Sequence, residues 1–591
     1  MKNKFCVFGD FYYYDARFCL KARNQKESKK ALNFIEKHKK KYFFVGFLQY
    51  EFHRYFEDKS YKSKEPYLFF YGFEKRKKFR PQAHKDDFLL HFSQNLDFKA
   101  YARNFKRVKR ALARGQSYQL NLTQEARFTT HLEPLTLFSA LLSRQDTPFK
   151  AYIPTPFLTL LSFSPELFFE IKKDLIITRP MKGTAARDED PVKDAQNKAF
   201  LQKDAKNLSE NVMIVDLLRN DLAKLIRKNS LQAELFEIQS YPTLHQMSST
   251  IKGRLKKRTP LFSIFRAIFP CGSITGAPKI ETMKLIKELE KRDRGPYCGA
   301  VGLIHGDGAK FSVAIRTAIL KKGTYRYGVG SGVVWESQMR EEFEELRLKM
   351  RILEQDFYLF ETMLLREGRI LFFKEHLERM LKSAQILGFD GEKLQKDHAD
   401  ALGNETDLSP FKKSDFYSIN AQIFSPQSPL FYPFKKDGTG ILRLKLFKNG
   451  AYAFENLALK ESQSEALWLS KTRLSSKNPS LRHKSSLRQI YEESAFLWRE
   501  NSCYDLAFLN EKNELCEASR SNLVLKIKGR FFTPTLKSGL LDGIYRNFLL
   551  RLGLVEERRL FEADLYAARE LYCVNSVRGM RRVFCEKNST H

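Results

Sequence analysis

Three ionisable residues near the middle of the chain have the spacing of one helix face. Glu342, Glu345 and Lys349 are three and seven residues apart, so their side chains would project together from a helix. A further carboxylate, Glu210, follows Ser209, a residue type that often begins helices. Carboxylates supplied by two helices suit Mg²⁺, which takes few protein ligands and leaves positions for substrate oxygens. The spacing alone favours exposed helix charges.

A glycine-rich stretch, YGVGSGVV at 327–334, comes directly before this acidic helix. It is followed by β-branched residues instead of opening a helix, which separates it from a dinucleotide-binding loop. Its backbone N–H groups could cradle a carboxylate. A tight hairpin turn is an equally good interpretation of the same residues.

The second half of the chain offers one lysine and one glutamate in distinctive surroundings. Lys484 lies in LRHKSSLRQIYEES (481–494), and Glu517 follows 33 residues later in CEASRSNL (516–523). Because lysine and glutamate are abundant in this chain, the pair by itself indicates no particular reaction.

The formal net charge of +34 over 591 residues is compatible with a nucleic-acid-binding protein. The basic clusters at 37–41, 75–78 and 254–258, however, are short, dispersed and interleaved with acidic residues. We therefore expect a solvated basic surface that modestly steers anionic substrates, and no nucleic-acid partner. The length suggests two to four domains, and a hydrophobic fraction of 43% allows a large core.

Several features predict a cytoplasmic protein without a membrane partner. The sequence has no run of about 18 uncharged apolar residues, the length that a transmembrane helix needs. Gly9 and Asp10 break the apolar run near the N-terminus, which makes it a poor signal peptide. The eight cysteines are scattered without a CxxC pair, which argues against a zinc site and a disulfide framework and fits a reducing compartment.

The first part of the chain alternates strand-like and helix-like segments. Segments 162–171 and 300–320 have the composition of strands. Segments 209–226 and 341–355 space their apolar residues as helices do. A domain that contains both element types is therefore expected here.

A second pattern begins near Asp356 and runs strand, turn at Gly368, strand and helix. The polar segment 395–440 is expected to consist mostly of loops. We therefore expect two domains, 1–355 and 356–591.

Between about residues 100 and 355, sequence motifs follow one another in a characteristic order. They are YQLNLTQ (118–124), SFSPELF (162–168), TRPMKGT (178–184), ENVMIVDLLRND (210–221), HQMSSTIKG (245–253), CGSITGAPKIETMKLI (271–286), IRT (315–317) and GVGSGVVWES (328–337). The set resembles the chorismate-utilising enzyme family, and TRPMKGT is similar to the PIKGT motif of its aminodeoxychorismate synthase component I branch. The resemblance implies an α+β chorismate-binding fold like that of anthranilate synthase component I.

The resemblance also implies a role for each residue that matches a family motif. Glu210 and Glu345 match magnesium ligands, and Glu342 lies behind them. Glu166 matches the general acid that helps the ring hydroxyl to leave, so burial should raise its pKa. The residues that it implies for chorismate binding are Gln119, His245, Thr275, Tyr297, Arg316, Gly328, Gly330, Gly332 and Lys349.

Lys182 distinguishes this branch from its relatives. Its position implies a nucleophile that attacks the ring ortho to the carboxylate, after which ammonia enters at the para position and displaces the lysine. Such an amine must be neutral, so desolvation or nearby positive charge should lower its pKa. An alanine here would lead toward anthranilate. Gln119 stands where isochorismate synthases use a lysine to activate water.

Two positions depart from the family pattern. Asn207 stands where anthranilate synthases carry an acidic residue near the metal, and Glu336-Ser337 replaces a DS dipeptide. Either change could weaken Mg²⁺ affinity, but neither removes a direct ligand.

The family usually receives ammonia from a glutaminase whose cysteine lies in a GxCxG elbow. None of the eight cysteines lies in such a setting, and Cys271-Gly272, the nearest case, belongs to a chorismate motif. A separate glutamine amidotransferase subunit is therefore expected to supply ammonia.

Residues 356–591 resemble class IV pyridoxal-phosphate enzymes, and aminodeoxychorismate lyase in particular. The matching segments are FKEHLERM (373–380), the segment around Lys484, EASRSNL (517–523), FTPTLKSGLLDGIYR (532–546) and NSVRG (575–579). The resemblance implies a two-lobed α/β domain with pyridoxal 5'-phosphate as cofactor. Val524 departs from the pattern, since the family prefers an aromatic residue there.

In this resemblance Lys484 would bind the cofactor and then act as acid and base, while Glu517 would pair with the pyridine nitrogen. The other residues that it implies for cofactor binding are Arg379, Gly543, Ile544, Asn575 and Ser576. The phosphate would lie against Arg379 and the amides of Gly543-Ile544 at a helix start. Arg578 is a candidate for meeting a substrate carboxylate.

Together the two resemblances imply a bifunctional enzyme that makes p-aminobenzoate for folate synthesis. The first half would convert chorismate and ammonia to 4-amino-4-deoxychorismate, and the second would eliminate pyruvate from that product. The alternative is an anthranilate or isochorismate synthase fused to a class IV amino-acid transaminase. Lys182 and Gln119 favour the first interpretation.

Overall fold

The computed structural model describes residues 4–81, 88–145, 147–188, 190–240, 244–354, 357–403, 406–412, 414–434, 438–459, 462–492 and 502–586. The chain separates into two compact units. One contains the described residues of Met1–His84 and Phe92–Glu354, and the other those of Lys85–His91 and Gln355–His591.

The described part of the first unit contains eighteen strands in one antiparallel hydrogen-bonded network. They are β1 Cys6–Phe8, β2 Phe11–Ala22, β3 Phe43–Leu48, β4 Leu68–Lys78, β5 His91–Gln94, β6 Gln119–Thr129, β7 Phe149–Pro154, β8 Thr159–Ser164, β9 Leu167–Lys172, β10 Leu175–Arg179, β11 Met181–Ala186, β12 Gln232–Ser240, β13 Leu244–Arg254, β14 Gly276–Ala277, β15 Ala300–His305, β16 Gly308–Val313, β17 Thr317–Lys321 and β18 Thr324–Val333. The strand predictions for 162–171 and 300–320 are confirmed, the former as two strands and the latter as three.

The helices of the first unit are α1 Gln25–His38, α2 Arg54–Glu57, α3 Phe98–Ala113, α4 Pro134–Arg144, α5 Pro191–Lys203, α6 Ala205–Ala223, α7 Leu261–Ile268, α8 Lys279–Glu290 and α9 Met339–Met350. Side-chain caps begin several of them: the carboxylate of Asp97 accepts from the Ala100 N–H, and that of Asp204 from the Asn207 N–H. The helix predictions for 209–226 and 341–355 are confirmed. No helix in the described ranges is long and apolar enough to cross a membrane.

The core of the first unit is built largely from aromatic rings. Phe169 on β9 stacks on Phe311 of β16 at 5.0 Å between centroids, and Phe265 of α7 meets Phe311 edge-on at 5.2 Å. All three rings are completely buried. Burial of each such ring contributes roughly 1.5–3 kcal/mol, so this core holds the sheet network and α7 together.

The glycine-rich stretch lies inside strand β18 and is not a hairpin turn, so that interpretation is wrong. β18 pairs along its length with β6, and Gly328, Gly330 and Gly332 stand opposite Glu125, Thr123 and Asn121. A regular antiparallel partner explains the difference, because the sequence of β18 alone does not reveal β6, about 200 residues earlier. The small residues keep the strand surface open beside α9.

The second unit contains two sheets. The antiparallel sheet is formed by β19 Leu359–Arg366, β20 Arg369–Leu371, β21 Phe431–Pro433, β22 Gly440–Leu446 and β23 Tyr452–Leu457. The mixed sheet is formed by β24 Ala466–Leu474, β25 Asp505–Asn510, β26 Leu515–Ala518, β27 Asn522–Ile527, β28 Arg530–Pro534, β29 Glu556–Arg558, β30 Glu570–Asn575 and β31 Gly579–Cys585. In it, β24 runs parallel to β25 and to β31.

The helices of the second unit are α10 Phe373–Leu387, α11 Glu392–Asp397, α12 Ala399–Gly403, α13 Ile419–Ile423, α14 Gln489–Glu492, α15 Ile544–Arg551 and α16 Glu562–Ala567. The strand, turn, strand and helix pattern that begins near Asp356 is confirmed as β19, β20 and α10. Segment 395–440 contains more structure than expected, because the short helices α12 and α13 bury Ala401, Ile419 and Ile423 in apolar clusters.

Arg294 is a buried arginine that ties α8 to the strand beneath it. Its guanidinium donates to the Glu290 carboxylate at 2.7 and 3.0 Å and to the carbonyls of Ile274 and Asn121, both at 2.8 Å. Glu290 and Arg294 are both almost fully buried. Since Asn121 lies on β6, beside the glycines of β18, this ion pair fixes the wall of the region described next.

We predict that Arg294→Met lowers the free energy of unfolding of the first unit by about 3–5 kcal/mol, because it leaves the Glu290 carboxylate buried without its main partner. Urea unfolding followed by circular dichroism measures the loss. Arg292→Met is the control: Arg292 is more exposed and lies 3.7 Å from Glu290, so its loss should be about 1 kcal/mol or less. Equal losses in the two variants would contradict the prediction.

Candidate active sites

The first unit contains a cavity of about 150 Å³ beside the glycines of β18. Its wall comes from the β8–β9 turn, β11, β18 and α9. The predicted site residues that line it are Glu166, Lys182, Tyr297, Arg316, Gly328, Gly330, Gly332, Glu345 and Lys349. The structure therefore brings nine residues that are far apart in sequence to one cavity.

Lys182 projects from β11 toward the carboxylates of two helices. Its Nζ donates to Oε2 of Glu210 on α6 at 3.2 Å. Burial lowers the pKa of Lys182, but the charges of Glu210 and Glu345 outweigh this and raise it above its usual value. This contradicts the expectation of a lowered pKa, because the groups that act on the amine most strongly after burial are carboxylates.

Glu166 is a buried carboxyl group at the β8–β9 turn. Its Oε1 accepts a hydrogen bond from the Ser273 hydroxyl at 2.6 Å. Burial raises the pKa of Glu166 to about 7, against the opposing effects of that bond and of Lys182 and Lys349. A large fraction of Glu166 is therefore protonated at neutral pH, which is the direction expected for a general acid.

The glycines of β18 leave space for their neighbours. A Cβ on Gly332 would lie 2.7 Å from Nε2 of Gln119 and 2.8 Å from Nζ of Lys182, and one on Gly328 would lie 2.4 Å from the Tyr297 ring. A larger residue at either position would displace these groups. Gln119 therefore stands beside Lys182 although it does not line the cavity.

Two cations border the cavity near these glycines. Lys349 donates to the Gly330 carbonyl and to Oε1 of Glu345, both at 2.6 Å. Arg316 has a backbone φ of 48°, a left-handed conformation that is rare outside glycine and concentrated at functional sites. Burial lowers the pKa of Arg316, so an anion beside it would be stabilising.

Besides Gln119, two residues expected to bind substrate do not line the cavity. His245 and Gln246 are neighbours on β13, so their side chains point to opposite faces of the strand, and Gln246 forms part of the cavity wall. The His245 ring instead makes hydrogen bonds with Asp194 at 3.0 Å and with Ser240 at 2.8 Å. The Thr275 hydroxyl donates to the carbonyls of Cys271 and Gly272 and so caps a short turn.

Glu210, Glu342 and Glu345 differ in their access to the cavity. Glu345 lines it, Glu210 reaches it through Lys182, and the buried Glu342 accepts from the Ser337 hydroxyl at 2.7 Å. In the described ranges no three acidic, histidine or cysteine side chains group as a ready metal site. Two carboxylates from two helices nevertheless fit the needs of Mg²⁺, which keeps water or substrate oxygens in its other positions.

Several wall residues of this cavity were not singled out by the sequence, and three of them are polar residues inside known motifs. Asn121, Gln246 and Ser273 line it, and Ser273 holds Glu166 directly. Each lies inside one of the sequence motifs, so its place in a motif was the feature from which it could have been predicted. What the sequence could not indicate is which residues within each motif face inward.

The second unit contains a cavity of about 510 Å³. The predicted residues that line it are Arg379, Lys484, Glu517, Gly543, Ile544, Asn575 and Ser576, together with Arg578. All of the cofactor-binding residues expected from the sequence therefore lie around one cavity.

Lys484 lies in this cavity with its Nζ 4.0 Å from Oε2 of Glu361. Burial lowers the pKa of Lys484 to about 7; the Glu361 carboxylate opposes this shift, and the arginines nearby, first Arg379 and then Arg488, reinforce it. The amine is thus poised between its neutral and protonated forms near neutral pH. A neutral lysine of this kind is what a carbonyl cofactor requires.

Glu517 on β26 is buried between two donors. It accepts from the Tyr491 hydroxyl at 2.7 Å and from the Leu541 N–H at 3.2 Å. Burial raises its pKa to about 7, with Arg488 acting in the opposite direction. A group beside it that carries a proton on nitrogen would therefore form a stable pair with this carboxyl.

The expected phosphate region combines an arginine with a helix start. Gly543 is the residue before α15, and a Cβ there would lie 1.8 Å from Oδ1 of Asn522, so a larger residue would displace the Asn522 amide from its hydrogen bond to the Leu541 carbonyl. Arg379 on α10 donates to both oxygens of Glu361 at 2.9 and 2.6 Å and to the Asp542 carbonyl at 2.8 Å. The backbone amides and the fixed guanidinium suit a phosphate group.

A buried chain of polar groups supports this region and was not expected. His376 on α10 bonds Ser576 at 2.9 Å and Glu361 at 2.7 Å, and Glu361 is shared with Arg379. The positive groups around Glu361 hold its pKa well below the usual range. His376 lies in the FKEHLERM motif and could have been noticed there. Glu361 could not be predicted from the sequence, because its role depends on the packing of β19 against α10.

Comparison with known proteins identifies both units. Residues 71–355 match the family model described as chorismate binding enzyme, and residues 358–584 match the model of amino-transferase class IV. The anthranilate synthase component I of Streptococcus pneumoniae has a similar fold, with a TM-score of 0.51 and 20% identity over 60% of this chain and 93% of that one.

Two curated relatives are similar in sequence to part of this chain. The aminodeoxychorismate synthase of Streptomyces pristinaespiralis is 39% identical over 263 residues, which are 44% of this chain and 36% of that protein. Aminodeoxychorismate synthase component 1 of Escherichia coli K12 is 36% identical over 282 residues, 47% of this chain and 62% of that protein. The chain thus matches less than two thirds of the length of either relative. It belongs to the chorismate-binding enzyme family in residues 71–355 and to the class IV amino-transferase family in residues 358–584.

Proposed function

We propose that this chain converts chorismate and ammonia to p-aminobenzoate in two successive reactions, the precursor supply for folate. The observation that carries the proposal is the buried Lys182 beside Glu166 and Glu210 in the cavity of a chorismate-binding unit. The activity named for the two relatives supports the first reaction. The class IV family of the second unit supports a second reaction that uses pyridoxal phosphate.

In the first reaction the residues of the smaller cavity divide the work. Arg316, Lys349 and the amides of β18 hold the carboxylates of chorismate. Glu166 gives its proton to the departing ring hydroxyl, which its raised pKa permits near neutral pH. The raised pKa of Lys182 favours its protonated form, so the amine first gives a proton to Glu210, its hydrogen-bond partner, and then forms a bond to the ring carbon ortho to the carboxylate. Ammonia then bonds to the para carbon and the lysine leaves, giving 4-amino-4-deoxychorismate.

Mg²⁺ is the metal that we propose for this cavity. Glu210 and Glu345 would hold it directly, and Glu342 would support them from behind through its bond with Ser337. Mg²⁺ bound there would neutralise part of the negative charge of Glu210 and Glu345 and of a carboxylate of the substrate.

In the second reaction the residues of the larger cavity bind the cofactor and move protons. Pyridoxal phosphate, when bound, supplies an electron sink. Arg379 and the amides at the start of α15 would hold its phosphate, and Glu517 would face its ring nitrogen. Lys484, with a pKa of about 7, takes a proton from the substrate and returns it as pyruvate departs. The remaining ring becomes aromatic, which favours the products.

We further propose that a separate glutamine amidotransferase subunit supplies ammonia to this cytoplasmic enzyme. Cys271, whose sequence setting comes nearest to a GxCxG elbow, is buried, and burial raises the pKa of its thiol to about 12. A thiol of this kind is a poor nucleophile. The component 1 name of the Escherichia coli relative supports a partner subunit.

The alternative is an anthranilate or isochorismate synthase joined to an amino-acid transaminase. Lys182 beside Gln119 speaks against both synthases, because the first lacks a lysine nucleophile and the second needs a base where glutamine stands.

Incubation of the purified chain with chorismate, Mg²⁺, ammonium and pyridoxal phosphate should give p-aminobenzoate and pyruvate, separated by chromatography. Lys182→Ala should abolish p-aminobenzoate and shift the product toward anthranilate, because the nucleophile is lost. Lys172→Ala, at an exposed strand end, is the control and should behave as wild type. Anthranilate or isochorismate from the wild-type chain would refute the first step.

Lys484→Ala should leave the first reaction intact and accumulate 4-amino-4-deoxychorismate, since no other residue of the second cavity replaces the amine. The same chromatographic assay follows both compounds. Lys471→Ala changes an exposed lysine of β24 in the same unit and should still yield p-aminobenzoate. If Lys484→Ala produced p-aminobenzoate at the wild-type rate, the second step would not use this cavity.

The rate of the first reaction should fall as pH rises through about 7, because Glu166 must carry a proton to act as an acid and its pKa lies near that value. Glu166→Gln should lower the rate by about 10²–10⁴-fold and remove this limb of the pH profile. Glu170→Gln, four residues along and outside the cavity, should keep the limb. A limb that persisted in Glu166→Gln would assign it to another group.

A further inference from the structure

Ser273 lies in the short turn Gly272–Ile274, which joins α7 to β14 in the first unit. Other side chains fix the backbone of this turn: the Thr275 hydroxyl donates to two carbonyls at its start, and the guanidinium of Arg294 donates to the Ile274 carbonyl at 2.8 Å. Ser273 is 9% exposed and lines the smaller cavity. The turn therefore presents one hydroxyl to this cavity from a backbone that its neighbours hold in place.

The hydroxyl of Ser273 has one proton, and the groups around it determine where that proton points. It donates to Oε1 of Glu166 at 2.6 Å, and its oxygen lies 3.2 Å from Sγ of Cys271. Burial raises the pKa of the Cys271 thiol to about 12, so the thiol keeps its own proton at neutral pH. Because a carboxyl oxygen is a better acceptor than a thiol sulfur, this polar chain runs from Cys271 through Ser273 to Glu166.

One of the two carboxyl oxygens of Glu166 is held in this way. Within the described ranges Oε1 accepts from Ser273, and Oε2 makes no hydrogen bond. The backbone of Glu166 is fixed as well, since its N–H donates to the Ser164 hydroxyl at 3.2 Å and its carbonyl accepts from the Val313 N–H at 3.1 Å. A proton on Oε1 would force the Ser273 hydroxyl to turn toward the weaker acceptor, the Cys271 sulfur. The protonated form of Glu166 therefore carries its proton on Oε2.

Two cations from other elements also act on Glu166, although neither forms a hydrogen bond with it in the described part of the chain. Among the groups that oppose the effect of burial on the pKa of Glu166, Ser273 acts most strongly, followed by Lys182 of β11 and Lys349 of α9. The other titratable residues of the described cavity wall are Arg316, Glu345, Tyr297 and Tyr327. Ser273 is thus the neighbour whose removal should change Glu166 most.

Loss of the Ser273 hydroxyl and loss of packing would shift the pKa of Glu166 in opposite directions. Without the donor, the carboxylate form loses its hydrogen bond and the pKa rises further above its usual range. If a substitution instead loosened the turn and admitted water, the effect of burial would weaken and the pKa would fall toward that of an ordinary glutamate. The direction of the shift therefore separates a specific hydrogen bond from a structural effect.

We propose that Ser273 is a positioning residue for Glu166: its hydroxyl holds Oε1 as an acceptor, so that the transferable proton lies on Oε2 and is directed at the departing ring hydroxyl of the substrate. The inference rests on the proposed first reaction and deepens it. As the bond between the ring carbon and the hydroxyl oxygen breaks, that oxygen keeps the bonding electrons, takes the proton from Oε2 and leaves as water. The carboxylate that remains keeps its bond from Ser273, which is stronger to a charged acceptor. Ser273 itself transfers no proton.

The hydrogen bond can be observed without substrate, in infrared difference spectra of the full chain recorded about one pH unit below and above 7. Over this interval a carboxyl group with a pKa near 7 loses the C=O stretching band of its protonated form. Glu51 and Glu517 also have pKa values that burial raises to about 7, so the band of Glu166 is identified by its absence in Glu166→Gln. We expect the midpoint of this band near pH 7 in the wild-type chain.

Ser273→Ala should move the midpoint of the Glu166 band upward by about one pH unit, the effect of one lost hydrogen bond to a charged group. The band itself should move to higher frequency, because the carbonyl oxygen Oε1 loses its donor. Ser273→Thr retains the hydroxyl and should keep the wild-type midpoint. Ser28→Ala is the control and should match the wild-type chain, since Ser28 is fully buried on α1 and donates to the Asn24 carbonyl at 2.8 Å, outside the cavity.

Turnover with chorismate, Mg²⁺ and ammonium tests the same residue in the first reaction, measured as 4-amino-4-deoxychorismate plus p-aminobenzoate. Ser273→Ala should lower kcat by about tenfold and change KM for chorismate little, because the proton is no longer held toward the leaving hydroxyl. The limb of the pH profile that belongs to Glu166 should move upward with the infrared midpoint. Ser273→Thr should restore most of kcat, and Ser28→Ala should behave as wild type.

The outcomes separate the inference from the proposed function. A midpoint that stays or falls in Ser273→Ala, equal midpoints in Ser273→Ala and Ser273→Thr, or an equal effect of Ser28→Ala would overturn the role of Ser273. If the midpoint rose in Ser273→Ala while the wild-type chain formed no 4-amino-4-deoxychorismate, the hold of Ser273 on Oε1 would be supported and the proposed first reaction refuted. Product formation with an unmoved midpoint would do the reverse.

Discussion

The balance of carboxylates and arginines around a buried lysine decides what each cavity can do. Burial by itself lowers the pKa of both Lys182 and Lys484. Around Lys182 the carboxylates of Glu210 and Glu345 reverse this effect and raise its pKa, whereas around Lys484 the arginines reinforce burial against Glu361 and bring its pKa to about 7. Neighbours from other elements thus shift the pKa of the same side chain in opposite directions in the two cavities.

This balance constrains the proposed chemistry differently in the two units. Lys484 needs no further change to exchange a proton near neutral pH, because the arginine-rich wall has already lowered its pKa. Glu210 and Glu345 raise the pKa of Lys182, and they are also the residues proposed to bind Mg²⁺. The nucleophile and the proposed metal ligands therefore share one set of contacts. A substitution at Glu210 would disturb both roles at once.

Much of the site could be predicted from sequence, because each motif is a short continuous segment. The direction in which each side chain of a motif points depends on distant elements and could not be predicted. Lys182, Glu166 and Lys349 do line one cavity, as their motifs implied. His245 does not, since the alternation of β13 turns Gln246 inward instead. The glycines of β18 were open to a turn interpretation until their pairing with β6 was known. In each case the deciding information was a partner strand or helix distant in the sequence.

The residue that the sequence missed in the second unit has the same origin. Glu361 lies on β19, outside any distinctive motif. Its importance comes from what surrounds it: His376 and Arg379 of α10 both hold its carboxylate, and its Oε2 lies 4.0 Å from Nζ of Lys484. One carboxylate of the antiparallel sheet therefore fixes two side chains of α10 and at the same time opposes the lowering of the Lys484 pKa.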